Sequence, residues 1–363
     1  MNTFGKTISL TIFGESHGLS IGAVLDGLPS GEAIDWDAVR TEMARRAPGK
    51  NKMSTARSEK DAFEVQSGFF NGHTTGTPLC AIIRNSDQHS RDYDQLRHIM
   101  RPGHADYSGK IRYGGFNDYR GGGHFSGRLT APLVFAGAVA SQILARHGIT
   151  VGSHILRLAG IADKPFDAAG ETAETLQALK KETLPVLDKV QAGPMEEKIL
   201  EAKNDLDSVG GVIECMVTGL PAGIGDPFFD SVESQLSHMM FSVPAVKGIE
   251  FGDGFALADL RGSQANDAFY YDGDAVKTRT NHNGGINGGI TNGMPVVFRL
   301  AVKPTASISQ KQETIDTDTK ENCDLVIKGR HDPCIVQRAI PVVEAAAAWA
   351  ILDVCLSEKG RCW

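Results

Sequence analysis

Short runs of alternating polar and apolar residues predict antiparallel strands in the first third of the chain. Thr7–Phe13 alternates in this way and ends at Gly14, which predicts a strand followed by a turn. Phe63–Phe69 and Thr77–Arg84 show strand-like patterns on either side of residues 71–76, a polar segment with two glycines. This arrangement is typical of two strands that pair through a connecting turn.

Two segments carry a helical pattern. Asp35 is a suitable N-terminal cap for a helix that continues to about Arg46. Thr130–His147 is apolar on nearly every side and is followed by Gly148, a residue type that commonly ends helices. An apolar surface all round predicts a helix that is buried in the core.

The second half of the chain repeats this kind of pattern. Residues 167–209 are charged and helix-prone, so we expect a helical layer at the surface. Strand patterns return at Gly211–Thr218 and Val296–Val302. Strands and a buried helix in each half suggest a duplicated α+β unit. Because no sharp change in composition marks a linker, we expect residues 1–363 to form a single domain.

The last helical segment contains two prolines. Asp332 followed by Pro333 is a typical helix start, with the aspartate as cap and the proline in the first position. Pro341 interrupts the helical pattern, and Val342–Leu356 resumes it as an alanine-rich helix. We therefore expect a helix that starts at Asp332 and is interrupted at Pro341.

Composition and charge are those of an ordinary soluble globular protein. The chain has 363 residues, is 41% hydrophobic and 22% charged, and carries a formal net charge of -7. That charge gives no general attraction for nucleic acid, so an anion site requires a local concentration of arginine and lysine. We read no membrane helix of ~20 apolar residues and no signal peptide. The six cysteines lack metal-type spacing, which favours reduced thiols in a cytoplasmic protein without a zinc site or disulfides; no metal is expected.

The stretch Arg101–Arg128 has the composition of a binding site for an anionic small molecule. It contains eight glycines, five cationic side chains against two acids, and both His104 and His124. Glycine lets backbone N–H groups approach an anion, arginine clamps phosphate or carboxylate, and histidine transfers protons near neutral pH. We expect the charge of Arg101 to disfavour the cationic form of His104. Neither a Rossmann fingerprint nor a P-loop is present.

Three other segments contain residues that suit catalysis or binding, but each segment also has an ordinary structural interpretation. Gly14–Gly18 places a serine and a histidine after the first strand; a capped turn is the alternative, and no nucleophile elbow supports a hydrolase. Asn281–Gly293 and the following Lys303–Ser307 suit a cofactor phosphate or a flat heterocycle, or else a long turn. Arg330 precedes a helix start that favours anions, and Asp332 suits both a cap and a catalytic role.

Together these segments resemble the chorismate synthase family. Eight blocks carry the resemblance, in the same order along nearly the whole chain: FGESHG (13–18), RRAPG (45–49), RPGHADY (101–107), DYRGGG (118–123), AVKGIEFGDGF (245–255), NGGINGGITNG (283–293), KPTASI (303–308) and GRHDPC (329–334). Eight ordered blocks are highly specific. The resemblance implies an α+β fold of the β-α-β sandwich type, with helices packed between antiparallel sheets, and a homotetramer.

The resemblance also implies an activity. 5-Enolpyruvylshikimate 3-phosphate would lose phosphate and a C6 hydrogen in an anti-1,4 elimination that gives chorismate. Reduced FMN would be required without net redox change, since electron donation from the flavin helps the phosphate to leave. The chain shows no added reductase module, so we expect an external flavin reductase to supply the reduced FMN. A substrate with two carboxylates and a phosphate accounts for clustered arginines in an acidic protein.

Catalytic and substrate-binding roles follow from the resemblance position by position. His17 corresponds to the acid near flavin N1, His104 to the acid that assists departure of phosphate, and Asp332 to the group that handles the flavin N5 proton. Ser16 and Ser126 correspond to hydrogen-bonding relays. The arginines implied to clamp the substrate anions are Arg45, Arg46, Arg101, Arg128 and Arg330.

Cofactor contacts are implied in the same way. The positions that correspond to flavin contacts are His124, Phe125, Ser126, Pro244, Ala245, Gly288, Lys303, Pro304, Thr305, Ala306, Ser307 and Arg330. Arg46 and Lys52 correspond to NADP contacts, although Lys52 stands where the family commonly has arginine. That difference weakens the NADP assignment.

The chain departs from the family directly after Gly121–Gly123. The family usually reads Arg, a small residue, Ser, Ala, Arg and Glu at the positions that are here His124, Phe125, Ser126, Gly127, Arg128 and Leu129. Our hypothesis is that Phe125 packs on the flavin and that Gly127 makes room for it. Two alternatives stay open: a flavin-dependent oxidoreductase that passes hydride to a separate acceptor, and a non-catalytic relative that binds FMN or an anion.

Overall fold

The computed structural model describes residues 1–49, 52–54, 61–85, 97–327 and 331–357. Its strands are β1 (Thr3–Phe4), β2 (Ser9–Gly14), β3 (Ser20–Asp26), β4 (Phe63–Ser67), β5 (Phe69–Phe70), β6 (His73–Thr74), β7 (Leu79–Arg84), β8 (Thr150–Leu158), β9 (Ile161–Ala162), β10 (Gly211–Thr218), β11 (Val246–Phe251), β12 (Phe269–Asp272), β13 (Ala275–Thr278), β14 (Ile286–Asn287), β15 (Ile290–Thr291), β16 (Val296–Val302), β17 (Lys311–Asp316) and β18 (Glu321–Val326). Its α-helices are α1 (Trp36–Arg46), α2 (Asp106–Arg112), α3 (Thr130–Arg146), α4 (Ala173–Leu179), α5 (Ala192–Asn204), α6 (Val232–Met240), α7 (Gly262–Ala265) and α8 (Val336–Ser357).

Two five-stranded antiparallel sheets enclose the central helices. The strand order is β1-β2-β3-β7-β4 in the first sheet and β11-β16-β10-β8-β9 in the second. Helix α3 packs on β2, β3 and β7, helix α8 packs on β8 and β10, and the two helices pack on each other. The layers are therefore sheet, helices, sheet, and the β-α-β sandwich expected from the sequence is confirmed.

The two halves of the chain share one topology. The first half runs β2-β3-α1-β4-β7-α3 and the second runs β8-β10-α6-β11-β16-α8. In each half the first strand pairs with the second, the second with the fourth, and the fourth with the third. The duplicated α+β unit suggested by the sequence is thus present as repeated topology.

Helices α3 and α8 form the centre of the core. Segments Gly127–Arg146 and Val336–Ser357 are long and apolar enough to cross a membrane, but they are 83% and 94% buried inside the fold. The expectation that no apolar run reaches such a length was wrong for both segments. The apolar surface of α8 is covered by protein on all sides, because this helix lies between a sheet and α3, α1 and α6. Both segments are core helices.

Most element predictions are confirmed. Asp35 caps α1 by accepting hydrogen bonds from the backbone N–H groups of Asp37 and Ala38 at 2.9 and 3.2 Å. Strands β4 and β7 pair as expected, and β10 and β16 have the predicted bounds. Several elements were missed, among them α2, β3, β8, α6 and β11. Helix α2 lies inside the glycine-rich stretch, and β8 lacks a clear alternating pattern because Gly152, Ser153 and His154 interrupt its apolar residues.

The predicted start of the last helix was wrong. Helix α8 begins at Val336, because Pro333 and Cys334 are held in an extended bridge with Val209, whose N–H donates to the Pro333 carbonyl at 2.9 Å. Pro341 does not interrupt the helix; it lies inside it, fully enclosed by the core. Packing of the buried helix outweighs the one hydrogen bond that proline cannot make.

Candidate active site

A cavity of about 650 Å³ lies between the two halves, and we call it the central cavity. Each half contributes the same two connections to its walls. One follows the short helix (α1 or α6), and the other joins the fourth strand to the long helix (β7 to α3, or β16 to α8). The lining residues used below are Arg46, Arg101, His104, Gly121, His124, Phe125, Ser126, Arg128, Pro244, Ala245, Lys247, Lys303, Pro304, Thr305, Ala306, Ser307, Asp332 and Arg338.

Three consecutive glycines shape one wall of the central cavity. Gly121, Gly122 and Gly123 have φ values of 60, 85 and 54°, which other residues rarely adopt. A Cβ on Gly121 would lie 2.2 Å from the ring of His17, and a Cβ on Gly122 would lie 3.3 Å from Cε1 of His104. The glycines therefore let both imidazoles stand directly against backbone.

His17 and Ser16 lie behind this wall. Both are buried, with 6% of their surface exposed, and neither lines the cavity. The backbone N–H of Ser16 donates to the Gly123 carbonyl at 3.1 Å, which ties the two segments together. Gly121 lies between His17 and the cavity. His17, the predicted acid near the flavin, is therefore separated from the site only by a residue that has no side chain.

Asp106 holds the side chain of His104 in position. The sequence analysis did not assign a role to Asp106. Oδ1 of Asp106 lies 2.8 Å from Nδ1 of His104, and both carboxylate oxygens accept hydrogen bonds from the Arg101 guanidinium at 2.7 Å. Burial alone would raise the pKa of Asp106, but the contacts with Arg101 and His104 hold it well below its usual range. In the sequence, Asp106 lies two residues after His104, inside the block RPGHADY, without a role of its own.

Arg101 and Asp106 both contact His104. Nη2 of Arg101 lies 3.1 Å from Nδ1 of His104, and the carboxylate of Asp106 contacts both side chains, so the expected effect of Arg101 on the charge of His104 stays a prediction. With Nδ1 donating to Asp106, the other ring nitrogen, Nε2, is the one available for proton transfer.

Arg45 is not brought together with the other predicted anion ligands. Its Nη1 donates at 2.5 Å to both Glu42 and Glu344, and it does not line the cavity. Burial acts to lower the pKa of Arg45, but Glu344 and Glu42 raise it far above the ordinary value. Contrary to the expectation, Arg45 is a structural cation that joins α1 to α8. Glu344 also accepts from the N–H of Ser153 in β8 at 3.1 Å.

Asp332 lines the central cavity and pairs with Arg338, a residue that the sequence analysis did not single out. Arg338 also donates from Nε to the Arg46 carbonyl at 3.1 Å, so it links α8 to the end of α1. Burial lowers the pKa of Arg338, and Asp332 opposes that effect. Arg330, assigned from the sequence to both substrate and flavin, lies outside the described residues.

The predicted flavin contacts divide into two groups. Lys303 to Ser307, with Pro244 and Ala245, line one wall, and Nζ of Lys303 donates to the Gly103 carbonyl at 2.5 Å. Thr305 Oγ1 is buried in that wall without a hydrogen-bond partner in the described part of the chain. Gly288 instead lies in an exposed turn between β14 and β15, away from the lining.

The two predicted NADP contacts lie in different surroundings. Arg46 is buried at the cavity, where its guanidinium contacts Asp61. The Lys52 side chain is 68% exposed and pairs with Glu196 at 2.7 Å. The structure therefore does not bring them into one site.

Three of the residues that depart from the family pattern also line the cavity: His124, Phe125 and Gly127. Nδ1 of His124 donates to the Gly14 carbonyl at 2.7 Å, so Nε2 is the remaining hydrogen-bonding atom of the ring. Phe125 packs on Gly109 of α2 and lies 6.2 Å, centroid to centroid, from the ring of Tyr113. Ser126 accepts from the N–H of Arg128 at 3.3 Å, and Leu129 is buried in the core.

Comparison with known proteins identifies the family of the chain. The family model described as chorismate synthase matches residues 8–356. A chorismate synthase from Dehalococcoides mccartyi is 45% identical over 355 residues, covering 98% of this chain and 96% of that protein. One from Chitinophaga pinensis is 46% identical over 360 residues, covering 99% and 98%. A crystal structure of chorismate synthase aligns with a TM-score of 0.77 at 28% identity, covering 98% of this chain and 94% of that chain.

Proposed function

This chain belongs to the chorismate synthase family, and from that premise we propose that it converts 5-enolpyruvylshikimate 3-phosphate to chorismate and inorganic phosphate. One observation carries the proposal beyond the family name. The central cavity of an acidic protein is lined by six Arg and Lys side chains, with one carboxylate, Asp332, among its described lining residues. Such a surface suits a ligand that carries two carboxylates and a phosphate.

We assign substrate binding to Arg46, Arg101 and Arg128. Their guanidiniums line the cavity and offer planar sets of N–H donors that match carboxylate and phosphate oxygens. Arg101 is fixed by Asp106, and the other two are fixed by Asp61. Arg330 stays a prediction from the resemblance, and we do not assign Arg45 to the substrate.

Proton transfer is assigned to three residues. His104, held through Nδ1 by Asp106, donates a proton from Nε2 to the departing phosphate. Asp332 takes up the proton that derives from C6, and its pairing with Arg338 keeps the carboxylate in place at the cavity. His17 serves as the acid behind Gly121, and Ser16 and Ser126 act as hydrogen-bonding relays.

The residues of one wall fit reduced FMN. Thr305 Oγ1 is a buried polar atom without a partner in the described chain, and an FMN phosphate or hydroxyl would satisfy it. Lys303 supplies a cation beside Thr305 and Ser307, and Phe125 and Pro244 supply apolar surface. When bound, reduced FMN supplies electron density that assists the elimination without net redox change. Burial of the site restricts competing reactions with water.

Further properties are proposed from the family alone. They are a homotetramer, a cytoplasmic location, and an external flavin reductase as the source of reduced FMN. We do not propose that Arg46 and Lys52 form an NADP site, since one is buried at the cavity and the other is exposed beside Glu196.

Anaerobic turnover of 5-enolpyruvylshikimate 3-phosphate tests the proposal. One vessel contains chemically reduced FMN, and the second contains oxidised FMN with NADPH. We expect phosphate and chorismate in stoichiometric amounts in the first vessel only. Product in both vessels would keep the activity but remove the need for an external reductase.

The same experiment separates the alternatives. A flavin-dependent oxidoreductase would oxidise the reduced flavin in proportion to added substrate, whereas the proposed reaction leaves its redox state unchanged. A non-catalytic relative would bind FMN and substrate without releasing phosphate. Either result contradicts the proposed function.

A further inference from the structure

Arg46 and Arg128 reach the central cavity from different parts of the first half. Arg46 is the last residue of α1, and Arg128 lies in the 3-10 turn Gly127–Leu129 that precedes α3. Both line the cavity although only 2% and 8% of their surface is exposed. Two guanidiniums buried in one cluster repel each other and are costly to desolvate, so their placement requires a compensating group.

The carboxylate of Asp61 bridges the two guanidiniums. Nε of Arg46 donates to Oδ2 at 2.7 Å, and Nη2 contacts the same oxygen. Nη1 of Arg128 donates to Oδ1 at 2.8 Å. The Asp61 side chain is fully buried and is not among the lining residues of the cavity. The cluster of three side chains therefore keeps one net positive charge, with its cations at the cavity and its anion behind them.

The surroundings fix this bridge in place. Asp61 has φ 47°, a conformation that is uncommon for a residue other than glycine and persists where neighbouring contacts hold it. Nε of Arg128 donates to Oδ1 of Asn85 at 2.6 Å. Asn85 Nδ2 in turn donates to the carbonyls of Glu15 and Gly18 at 3.0 and 2.8 Å. The cluster is thereby tied to the turn that carries His17.

We propose that Asp61 is a positioning residue of the active site, which holds Arg46 and Arg128 together as one binding pair for an anionic group of the ligand. Phosphate and carboxylate share the required chemistry, because each accepts paired N–H donors from guanidinium groups. The inference rests on the proposed function for the identity of the natural ligand. It does not depend on turnover, since binding of a simple anion reports on the pair directly.

Two other roles for Asp61 predict different behaviour. If the carboxylate only competed with the ligand for the arginines, removing its charge would tighten anion binding. If it only stabilised the fold, removing it would lower thermal stability and leave the anion affinity of the folded protein unchanged. A positioning role predicts weaker anion binding despite the added positive charge, because the two guanidiniums separate.

The chain offers a matched control in Glu344. It is a buried carboxylate that accepts from Arg45, and Arg45 directly precedes Arg46 in α1. Neither Glu344 nor Arg45 lines the cavity. Asp61→Asn and Glu344→Gln therefore make the same chemical change, beside a cavity arginine in one case and beside a structural arginine in the other.

The test is calorimetric titration of inorganic phosphate into the full-length wild type, Asp61→Asn and Glu344→Gln, with folding checked by circular dichroism. We expect at least ~10-fold weaker phosphate binding in Asp61→Asn and wild-type binding in Glu344→Gln, with turnover reduced about 100-fold in the former. Unchanged or tighter binding in Asp61→Asn overturns the proposal, as does a wild type that binds no phosphate.

If Asp61→Asn does not fold, Asp61→Glu and its matched control Glu344→Asp decide the question. Asp61→Glu keeps the charge and displaces the carboxylate by one methylene. Phosphate binding that is about 5-fold weaker in Asp61→Glu than in Glu344→Asp supports the proposal, and equal binding overturns it. A wild type that binds phosphate but forms no chorismate would contradict the proposed function while leaving this inference intact.

Discussion

Individual side chains at the central cavity take their orientation from partners that are not themselves obvious in the sequence. Asp106 fixes His104, Asp61 fixes Arg46 and Arg128, and each partner is a carboxylate at least partly buried behind the group it holds. Motif matching singled out the proposed reacting groups, because histidine and arginine are distinctive among glycines. It did not find the carboxylates, because an aspartate in a loop has many ordinary explanations.

The Asp106→Asn variant tests the role of Asp106. Asparagine has nearly the same shape but no charge, so Nδ1 of His104 loses the anionic acceptor that holds the ring in position. We expect kcat to fall by at least ~10²-fold. Steady-state kinetics measure kcat, and circular dichroism checks that the variant folds.

Asp272→Asn is the matched control, because Asp272 pairs with Lys277 on an exposed hairpin. We expect wild-type kinetics from it. A wild-type kcat in Asp106→Asn would contradict the role of Asp106 in holding His104.

The Phe125→Ser variant tests the hypothesis about the departing segment. Phe125 is 36% exposed at the cavity and is supported by Gly109 and Tyr113, so a flat ligand could pack on its ring. Loss of an aromatic contact is worth ~1 kcal/mol, so we expect about 5-fold weaker FMN binding in a fluorescence titration. Phe70→Ser, at an exposed phenylalanine of β5, should bind FMN as the wild type does. Unchanged FMN affinity in Phe125→Ser would remove the hypothesis.

At the level of elements, the residues that form the core and the residues of the proposed site lie in different parts of the repeated unit. The strands and long helices of both halves form the core, whereas the predicted site residues that line the cavity lie in or beside the connections. Strands and buried helices need regular apolar patterns, and connections are free to carry glycine, arginine and histidine. This explains why the sequence predicted few helices or strands in the connections but placed candidate site residues there.

The close contact between α3 and α8 requires a glycine at Gly137. A Cβ on Gly137 would lie 2.2 Å from Cα of Ala345, a backbone atom that cannot rotate away. Gly137→Ala should therefore force the helices apart and lower the free energy of unfolding by about 2 kcal/mol, although alanine favours a helix over glycine by about 1 kcal/mol. Urea unfolding of the purified variant measures the change.

Gly193→Ala in α5 provides the comparison, since a Cβ there has no heavy atom within 4 Å. Its stability should equal or slightly exceed that of the wild type, because only the helix preference changes. Equal effects of the two substitutions would show that close packing of α3 on α8 is not the cause.

At the level of the whole molecule, buried ionic networks join elements that are distant in sequence. Glu344 connects α8 with α1 through Arg45 and with β8 through Ser153. On the other face of the second sheet, His154 is completely buried, with Nδ1 3.0 Å from Asp163 and Nε2 2.9 Å from Glu214. Glu214 also accepts from Arg299 at 2.8 Å. These networks make global stability depend on pH.

The sign of that dependence follows from the pKa shifts. Burial acts to lower the pKa of His154, but the hydrogen bonds and charges of Asp163 and Glu214 raise it overall. Burial acts to raise the pKa of each carboxyl group, but contact with His154 and backbone N–H groups lowers both overall. The contribution of His154 is complete below about pH 6.5 and is lost as pH rises through its raised pKa. The contribution of the carboxylates is complete above about pH 4 and is lost as pH falls through their lowered pKa values.

The His154→Gln variant tests this account. The free energy of unfolding of the wild type should decline above about pH 6.5. The proton of His154 contributes at most about 1.4 kcal/mol per pH unit to this decline, and the variant should lack that contribution. Urea unfolding from pH 6 to 9 provides the measurement. His73→Gln, at an exposed histidine of β6, should keep the wild-type slope. A slope in His154→Gln equal to that of the wild type would exclude His154 as its source.

The sequence by itself determined the family, the α+β class, the helices α1, α3 and α8, five of the ten strands in the two large sheets, and the residue types of the proposed site. These features are local or ordered along the chain: period-two and period-3.6 patterns, caps such as Asp35, and eight motif blocks. Only the tertiary structure decided that Arg45 faces Glu344 while Arg46 faces the cavity, that Asp61 and Asp106 hold the cationic groups, and that Gly288 and Lys52 lie elsewhere. The start of α8 was decided in the same way, by the pairing of Pro333 and Cys334 with Val209. The physical reason is common to these cases: burial and charge pairing depend on residues that are distant in sequence and become neighbours only when the two halves fold together.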